Sequence, residues 1–316
     1  MATTTISRKP ATSFDWLLLC ILGVIWGASF LGVELALTGF SPITIAAARV
    51  TMAAILLIAI ASLFGDGLPG YKTATERRIW LHCLGMGIFT NALPFSLLSW
   101  GQQYVTSGFA GISMAVVPLF VLPLAHYLVP DERMTRAKLF GFVFGFLGVV
   151  LLVGGDRILG TASPNLTMIA AQFACVIASI CYAIGSIVTR LCPPISTMSY
   201  AAGGLLLGSL ILVPMALLVD GLPQNVTLTA MGGLAYLALF PTAIATILLT
   251  MVIKRAGPSF LSLVNYQVPV WAVIIGAVVL AEALPGHFLT ALAIILIGMA
   301  ISQFYDSWII KRRQTA

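Results

Sequence analysis

Glu34 and Arg49 are opposite charges that fall well inside two adjacent apolar runs of this chain. At about 1.5 Å of rise per helical residue they lie roughly 5 and 9 Å from the neighbouring ends of two helices joined by a short turn. Such a pair can be a structural ion pair that ties a helical hairpin together, its side chains partly reaching outward. Alternatively, Arg49 meets the carboxylate of a solute while Glu34 meets its ammonium group, and a coupled proton carrier is a third role open to them. Uncharged polar groups recur at helical spacing elsewhere. Asn91, Phe95, Ser99 and Gln102 share one helical face, and Gln172, Ser179, Tyr182, Ser186 and Thr189 share another. Trp26, Trp100, Tyr266 and Trp271 lie well inside apolar runs, and Asn265 and Gln267 flank Tyr266 to make an amphipathic surface.

These residue types suit recognition of a small solute by hydrogen bonds and ring contacts; they do not suit bond cleavage. The candidate solute-binding set is Trp26, Asn91, Ser99, Trp100, Tyr182, Ser186, Asn265, Tyr266, Gln267 and Trp271, with Glu34 and Arg49 supplying charge. The alternative role of the small polar residues is helix–helix glue, worth about 0.6 to 2 kcal/mol per contact. Thr242, Thr246 and Thr250 are expected to bond within their own helix. Cys20, Cys83, Cys175, Cys181 and Cys192 lack metal-ligand spacing and read as small buried hydrophobes. With no G-x-x-x-x-G-K-[ST] run and no H-E-x-x-H, neither ATP hydrolysis nor metalloprotease chemistry has residues to stand on, and no metal or cofactor is expected. His82 and His126 fall close to helix ends, where a structural or interfacial role is expected.

The elements that must position these groups are ten apolar runs, near 16–37, 43–64, 79–103, 108–128, 137–155, 166–189, 197–219, 228–251, 259–281 and 287–309. Each is long enough to cross about 30 Å of hydrocarbon as a helix. Composition agrees: 60% of residues are apolar, only 8% are charged, and the mean hydropathy is +1.06. The fold class is therefore an all-α integral membrane protein. Its first apolar run is too long for a secretory leader and lacks a small-residue cleavage site, so it is expected to stay in the mature protein.

The chain is also duplicated. Residues 92–118 and 243–269 echo one another at a constant offset of 151, so that Phe109 answers Phe260 and Pro118 answers Pro269. Asp66-Gly67-Leu68-Pro69 is repeated as Asp220-Gly221-Leu222-Pro223, and Glu132 and Gly148 are echoed by Glu282 and Gly298. Five spans per copy is an odd number, so the copies face opposite ways across a bilayer, as in many secondary transporters. The expected organisation is an N-terminal tail at 1–15, a first five-helix repeat at 16–155, an outer linker at 156–165, a second repeat at 166–309 and a C-terminal tail at 310–316. With both termini cytoplasmic, Arg8, Lys9, Lys72, Arg77, Arg78, Arg133, Arg136, Lys138, Arg190, Lys254, Arg255, Lys311, Arg312 and Arg313 all fall on the cytoplasmic side, which is 14 of 16 basic residues. The net charge of +6 is thus a topology signal, and basic residues scattered over short alternate loops make no nucleic-acid groove. Pro118 and Pro269, at equivalent places, are the expected joints, while Gly27, Gly108, Gly111, Gly185 and Gly276 permit close helix approach.

Taken in combination, these residues resemble the EamA-type drug/metabolite transporter superfamily. The resemblance rests on Trp26-Gly27-Ala28-Ser29-Phe30, Ser41-Pro42 with Arg49, Pro118, and Asp131-Glu132-Arg133-Met134-Thr135 with Gly141 and Gly148. In the second half it rests on Tyr182-Ala183-Ile184-Gly185-Ser186, Pro269, Glu282 and Gly298. It covers residues 16–305 and implies two inverted five-helix repeats, a bacterial inner-membrane location and export of small metabolites, often amino acids. Overall likeness to the aromatic amino-acid exporters of that superfamily implies a solute with a large apolar or aromatic side chain. Glu34, Pro123 and His126 depart from the pattern. The alternatives are export of lipophilic cations or drugs and, from another class, an intramembrane enzyme or receptor scaffold. The expected partners are a small solute and the bilayer, with no nucleic acid, and a monomer is one oligomeric state open to the chain.

Overall fold

The computed structural model describes residues 12–129, 134–158, 165–224, 226–256, 258–261 and 263–314, and these form ten helical rods. They are α1 (Ser13–Leu37), α2 (Pro42–Phe64), α3 (Ala74–Gly101), α4 (Ser107–Leu128), α5 (Arg136–Ile158), α6 (Leu166–Arg190), α7 (Thr197–Val219), α8 (228–256), α9 (Val264–Val279) and α10 (Gly286–Gln314). Pro258–Leu261 forms one turn ahead of α9. The first eight are long and apolar enough to span a membrane, and the last two contribute shorter apolar stretches.

Polar caps start helices where hydropathy alone does not. Thr73 and Glu76 exchange side-chain bonds with each other's backbone N–H in a capping box, and α3 therefore begins at Ala74, ahead of the apolar run expected from residue 79. Thr12 with Asp15, Ser41, Thr106, Asn165 and Thr227 cap α1, α2, α4, α6 and α8 in related ways. The helix of α10 continues to Gln314, past the expected end at 309. The tail residues 1–11, Asp131-Glu132-Arg133 and linker residues 159–164 lie outside the described set.

The packing reproduces the duplication. Three pairs join equivalent rods of the two repeats, α2 with α7, α4 with α9 and α5 with α10. The others come in mirrored sets: α1 against α8 matches α6 against α3, and α1 against α9 matches α6 against α4. That is the arrangement of two inverted five-helix repeats. The turns Asp66–Pro69 and Asp220–Pro223 also share a backbone form, with Gly67 at φ 69° and Gly221 at φ 71°, a left-handed conformation that glycine adopts without a Cβ clash. Where α5 crosses α10 the main chains touch: a Cβ on Gly298 would lie 2.6 Å from the Gly141 carbonyl oxygen.

Two large apolar clusters fill most of the bundle, with three minor ones beside them. The larger draws on every rod except α2 and α7; the smaller joins α2 and α7 to the middle of α3 and to Ala243 of α8. Tyr182 packs against both, which places it on the seam between them.

Candidate functional site

Two short π-helical stretches mark the bundle interior, Gly87–Ala92 in α3 and Leu239–Ile244 in α8. They occupy equivalent places in the two repeats. A π turn inserts a residue into the i→i−4 ladder, which leaves a carbonyl in need of another donor. Asn91 Nδ2 donates to the Met86 carbonyl at 3.2 Å, and Thr242 Oγ1 donates to the Leu237 carbonyl at 2.9 Å. Asn91 and Thr242 are themselves 151 residues apart, as are Met86 and Leu237. One position in each repeat therefore repairs the same defect.

Arg49 reaches this region from α2. It is 7% exposed, its Nε donates to Thr242 Oγ1 at 2.9 Å, and its Cζ stands 3.7 Å from the centroid of the Phe95 ring. Its titratable neighbours are Tyr182 and Tyr236, and the Tyr182 ring meets Phe95 edge-on at 6.4 Å. A guanidinium inside a membrane helix costs about 2.5 to 3.5 kcal/mol on insertion scales, and a cation–π contact returns roughly 0.5 to 2 kcal/mol. The ring and the hydroxyl fix where the charge sits and leave it unneutralised.

Glu34 does not supply that neutralisation. It is half-buried in α1 with Glu282 and Gln102 as its charged and polar neighbours, and it makes no ion pair with Arg49. The expected hairpin ion pair is thus replaced by two separate environments, because consecutive helices can share a turn while presenting these side chains to different partners. Glu282 instead accepts the backbone N–H groups of Ser107 and Gly108, at 2.8 and 3.0 Å, at the start of α4.

The remaining candidates divide between the interior and the helix contacts. Asn91, Ser99 and Gln102 are buried on one face of α3 with Phe95, as the spacing implies. Gln102 donates to the Phe30 carbonyl, and Ser179 of α6 donates to the Ser113 carbonyl, so both act as glue. Tyr182 is half-buried, whereas Ser186 is exposed and bonds the Ala183 carbonyl of its own helix. Trp26 donates its indole N–H at 3.1 Å to the Pro241 carbonyl, inside the π turn of α8. Gln267 and Trp271 press against α1, where Gly23 and Gly27 leave room for them: a Cβ on Gly23 would meet Gln267 Oε1 at 2.7 Å, and one on Gly27 would meet Trp271 Cβ at 2.5 Å. Asn265 and Tyr266 are half-buried beside them, and the Tyr266 hydroxyl is buried without a hydrogen-bond partner among the described residues. Trp100 is half-buried and tilted over Tyr104 at 5.5 Å.

Pro118 and Pro269 sit differently in their helices. Pro118 lies in the first turn that follows a 3₁₀ break at Met114–Val116, whereas Pro269 lies within the continuous helix Val264–Val279. His82 bonds the Val188 carbonyl, and the Met134 N–H donates to His126; both are structural contacts. Thr246 bonds its own helix as expected; the Thr250 side chain lies outside the described residues.

At the end of the bundle where α1 finishes, Ser41 and Thr44 both donate to Asp220 Oδ2, closing a cleft of about 300 Å³ lined also by Phe40 and Gln224. The equivalent residues at the opposite end are Asp66 and Ser196. Asp66 is exposed and Ser196 makes no side-chain cap, so the second contact is not formed. Sequence reasoning missed Tyr236 and the bond from Arg49 to Thr242. For Thr242 a signal existed, since the repeat offset maps it onto Asn91; for Tyr236 there was none.

The sequence profile of the EamA-like transporter family matches residues 14–154 and again 169–303. YedA of Escherichia coli strain K12, described as an uncharacterized inner membrane transporter, is 26% identical over 284 residues, spanning 89% of this chain and 87% of its own. An uncharacterized transporter of Archaeoglobus fulgidus is 26% identical over 293 residues, spanning 90% and 97% of the two chains. PecM of Dickeya dadantii is 26% identical over 293 residues, spanning 92% of each. One crystal structure superposes with a TM-score of 0.67 over 95% of this chain and 99% of its own at 19% identity, a likeness of fold.

Proposed function

The chain belongs to the EamA-like transporter family, and on that premise we propose that it is an alternating-access secondary transporter that exports amino acids with large apolar or aromatic side chains. The observation that carries the solute class is the seam residue Tyr182, half-buried between the two apolar clusters and edge-on to Phe95 above the Arg49 guanidinium. Ring faces at the junction of inverted repeats suit a flat apolar side chain, while the adjoining polar groups suit an amino-acid backbone. The repeats at 16–155 and 166–309 are the units that rock, and Pro118 and Pro269 serve as joints. The location we propose is a bacterial inner membrane, as in the name of YedA, with both termini cytoplasmic and a single chain sufficient for transport.

The lipophilic-cation reading has the aromatic lining in its favour and the buried Arg49 against it. Counterflow in liposomes decides: labelled phenylalanine, tyrosine or tryptophan should exchange and be recovered unaltered. Accumulation of tetraphenylphosphonium without amino-acid exchange would favour the cation reading, and chemical alteration of the label would favour an enzyme.

A further inference from the structure

Arg49 and Asp15 are the two charged side chains buried among the described residues, and their circumstances differ. Asp15 is met by Arg255 at 2.6 Å. Arg49 has no carboxylate partner among the described residues: its Nε is taken by Thr242, its flat face by Phe95, and its two terminal nitrogens by no protein acceptor. A guanidinium presents its donors in a rigid planar fork. With the Nε side anchored and the face covered, the free donors form the edge of the fork, and that edge fits the two oxygens of a carboxylate.

The anchoring is itself supported. Thr242 can accept from Arg49 because its own proton is committed to the Leu237 carbonyl that the π turn of α8 leaves open. The hydroxyl is therefore oriented with a lone pair toward Nε, and the guanidinium cannot rotate freely. Tyr182 and Tyr236 contribute rings and neutral hydroxyls nearby and no negative charge. An apolar interior that holds a cation in one orientation and withholds its counter-ion is built to receive an anion from outside the protein.

We propose that Arg49, held by Thr242 and Phe95, binds the carboxylate of the transported solute, so that an anionic head is required of every substrate and a free amine is not. This inference rests on the transport reading and narrows its solute class. Glu34, set apart with Glu282 and Gln102, takes no part in reading the same carboxylate.

The test uses the full chain in liposomes, with counterflow of labelled L-phenylalanine and three competitors. These are 3-phenylpropanoate, which keeps only the carboxylate, 2-phenylethylamine, which keeps only the amine, and phenylalaninamide, which keeps the amine and masks the acid. Phenylpropanoate should compete, and the other two should compete at least about tenfold less well, the scale of a lost charge-assisted pair. Arg49→Gln should remove the distinction between phenylalanine and its amide. Strong competition by phenylethylamine and none by phenylpropanoate overturns the proposal, and this comparison needs only the parental protein, whatever the folding of the variant. If no amino acid exchanges at all, the transport reading fails by itself. The carboxylate site is then read in detergent by thermal shift with phenylpropanoate: stabilisation lost in Arg49→Gln supports it, and no stabilisation of the parental protein refutes it.

Discussion

Asn91 and Thr242 occupy one position in two inverted repeats, and each closes a hydrogen bond on the carbonyl five residues before it. Only Thr242 carries a second load, the Nε of Arg49. The shared bond explains why both repeats keep a π turn at that place. The unshared one marks where the repeats have diverged for recognition.

Stability should register this difference. Thr242→Val leaves the Leu237 carbonyl and the Arg49 Nε both unpaired, whereas Asn91→Ala leaves only the Met86 carbonyl open. With about 1 to 3 kcal/mol for each buried group left unpaired, the valine variant should be the less stable, and Thr242→Ser should remain near the parental protein. Thermal unfolding in detergent measures the order, and equal melting of Thr242→Val and Asn91→Ala would sink the strut role of Thr242.

Among the described residues the Tyr266 hydroxyl is buried without a hydrogen-bond partner, an arrangement that burdens the protein. Tyr266→Phe should therefore raise stability by about 1 kcal/mol. If that hydroxyl is reserved for the solute, the same variant should bind it more weakly, so stability and affinity move in opposite directions. A variant that is both more stable and fully active would assign Tyr266 to packing.

The basic-residue bias predicts which end faces the cytoplasm, and the described loops allow a direct check. In a background lacking Cys20, Cys83, Cys175, Cys181 and Cys192, a cysteine at the exposed Arg190 should react with impermeant reagents from the cytoplasmic side only. One at the exposed Leu222 should react from the other side only. Reversal of both would invert the orientation; the same side for both would contradict a single membrane crossing by α7 (Thr197–Val219), which lies between them.

Much of this architecture was legible in the residues because membrane helices are written as long apolar runs and the duplication preserves its own register. Phe109 with Phe260 and Gly67 with Gly221 are matched in sequence, and the second pair is matched in backbone angle as well. The facing of each helix was harder to read. α1 and α2 are apolar nearly all round, so periodicity does not say which way Glu34 and Arg49 turn, and a shared hairpin suggested a pair that the bundle separates. Polar stripes gave direction only where several polar residues aligned, as from Asn91 to Gln102. The π turns left no compositional trace, since Gly87–Ala92 and Leu239–Ile244 contain nothing that an ordinary helix would refuse apart from Pro241. Trp26 was chosen as a ring set well inside an apolar run, and its indole N–H proved to bond the Pro241 carbonyl of a neighbouring helix.

The two ends of the bundle differ in a contact that the sequence holds in duplicate, and this makes a prediction about facing. Ser41 and Thr44 grip Asp220 at the end where α1 finishes, while Asp66 and Ser196 make no matching hydrogen bond at the other. If these are matched latches, Asp220→Asn weakens the closed one by removing its charge, and Asp66→Asn changes little in this state. A cysteine probe at Phe95 should then become more accessible from the Asp220 end in the first variant and stay unchanged in the second. The prolines offer a second handle on the same equilibrium, since Pro118 follows a broken turn and Pro269 lies in a continuous helix. Restoring a regular backbone by Pro118→Ala should oppose the 3₁₀ break of α4, and Pro269→Ala should bias the protein the opposite way because the repeats are inverted. Binding is expected to survive in both while turnover falls. Parental turnover and unchanged accessibility in all three of Asp220→Asn, Pro118→Ala and Pro269→Ala would show that the contact and the kinks merely shape the bundle.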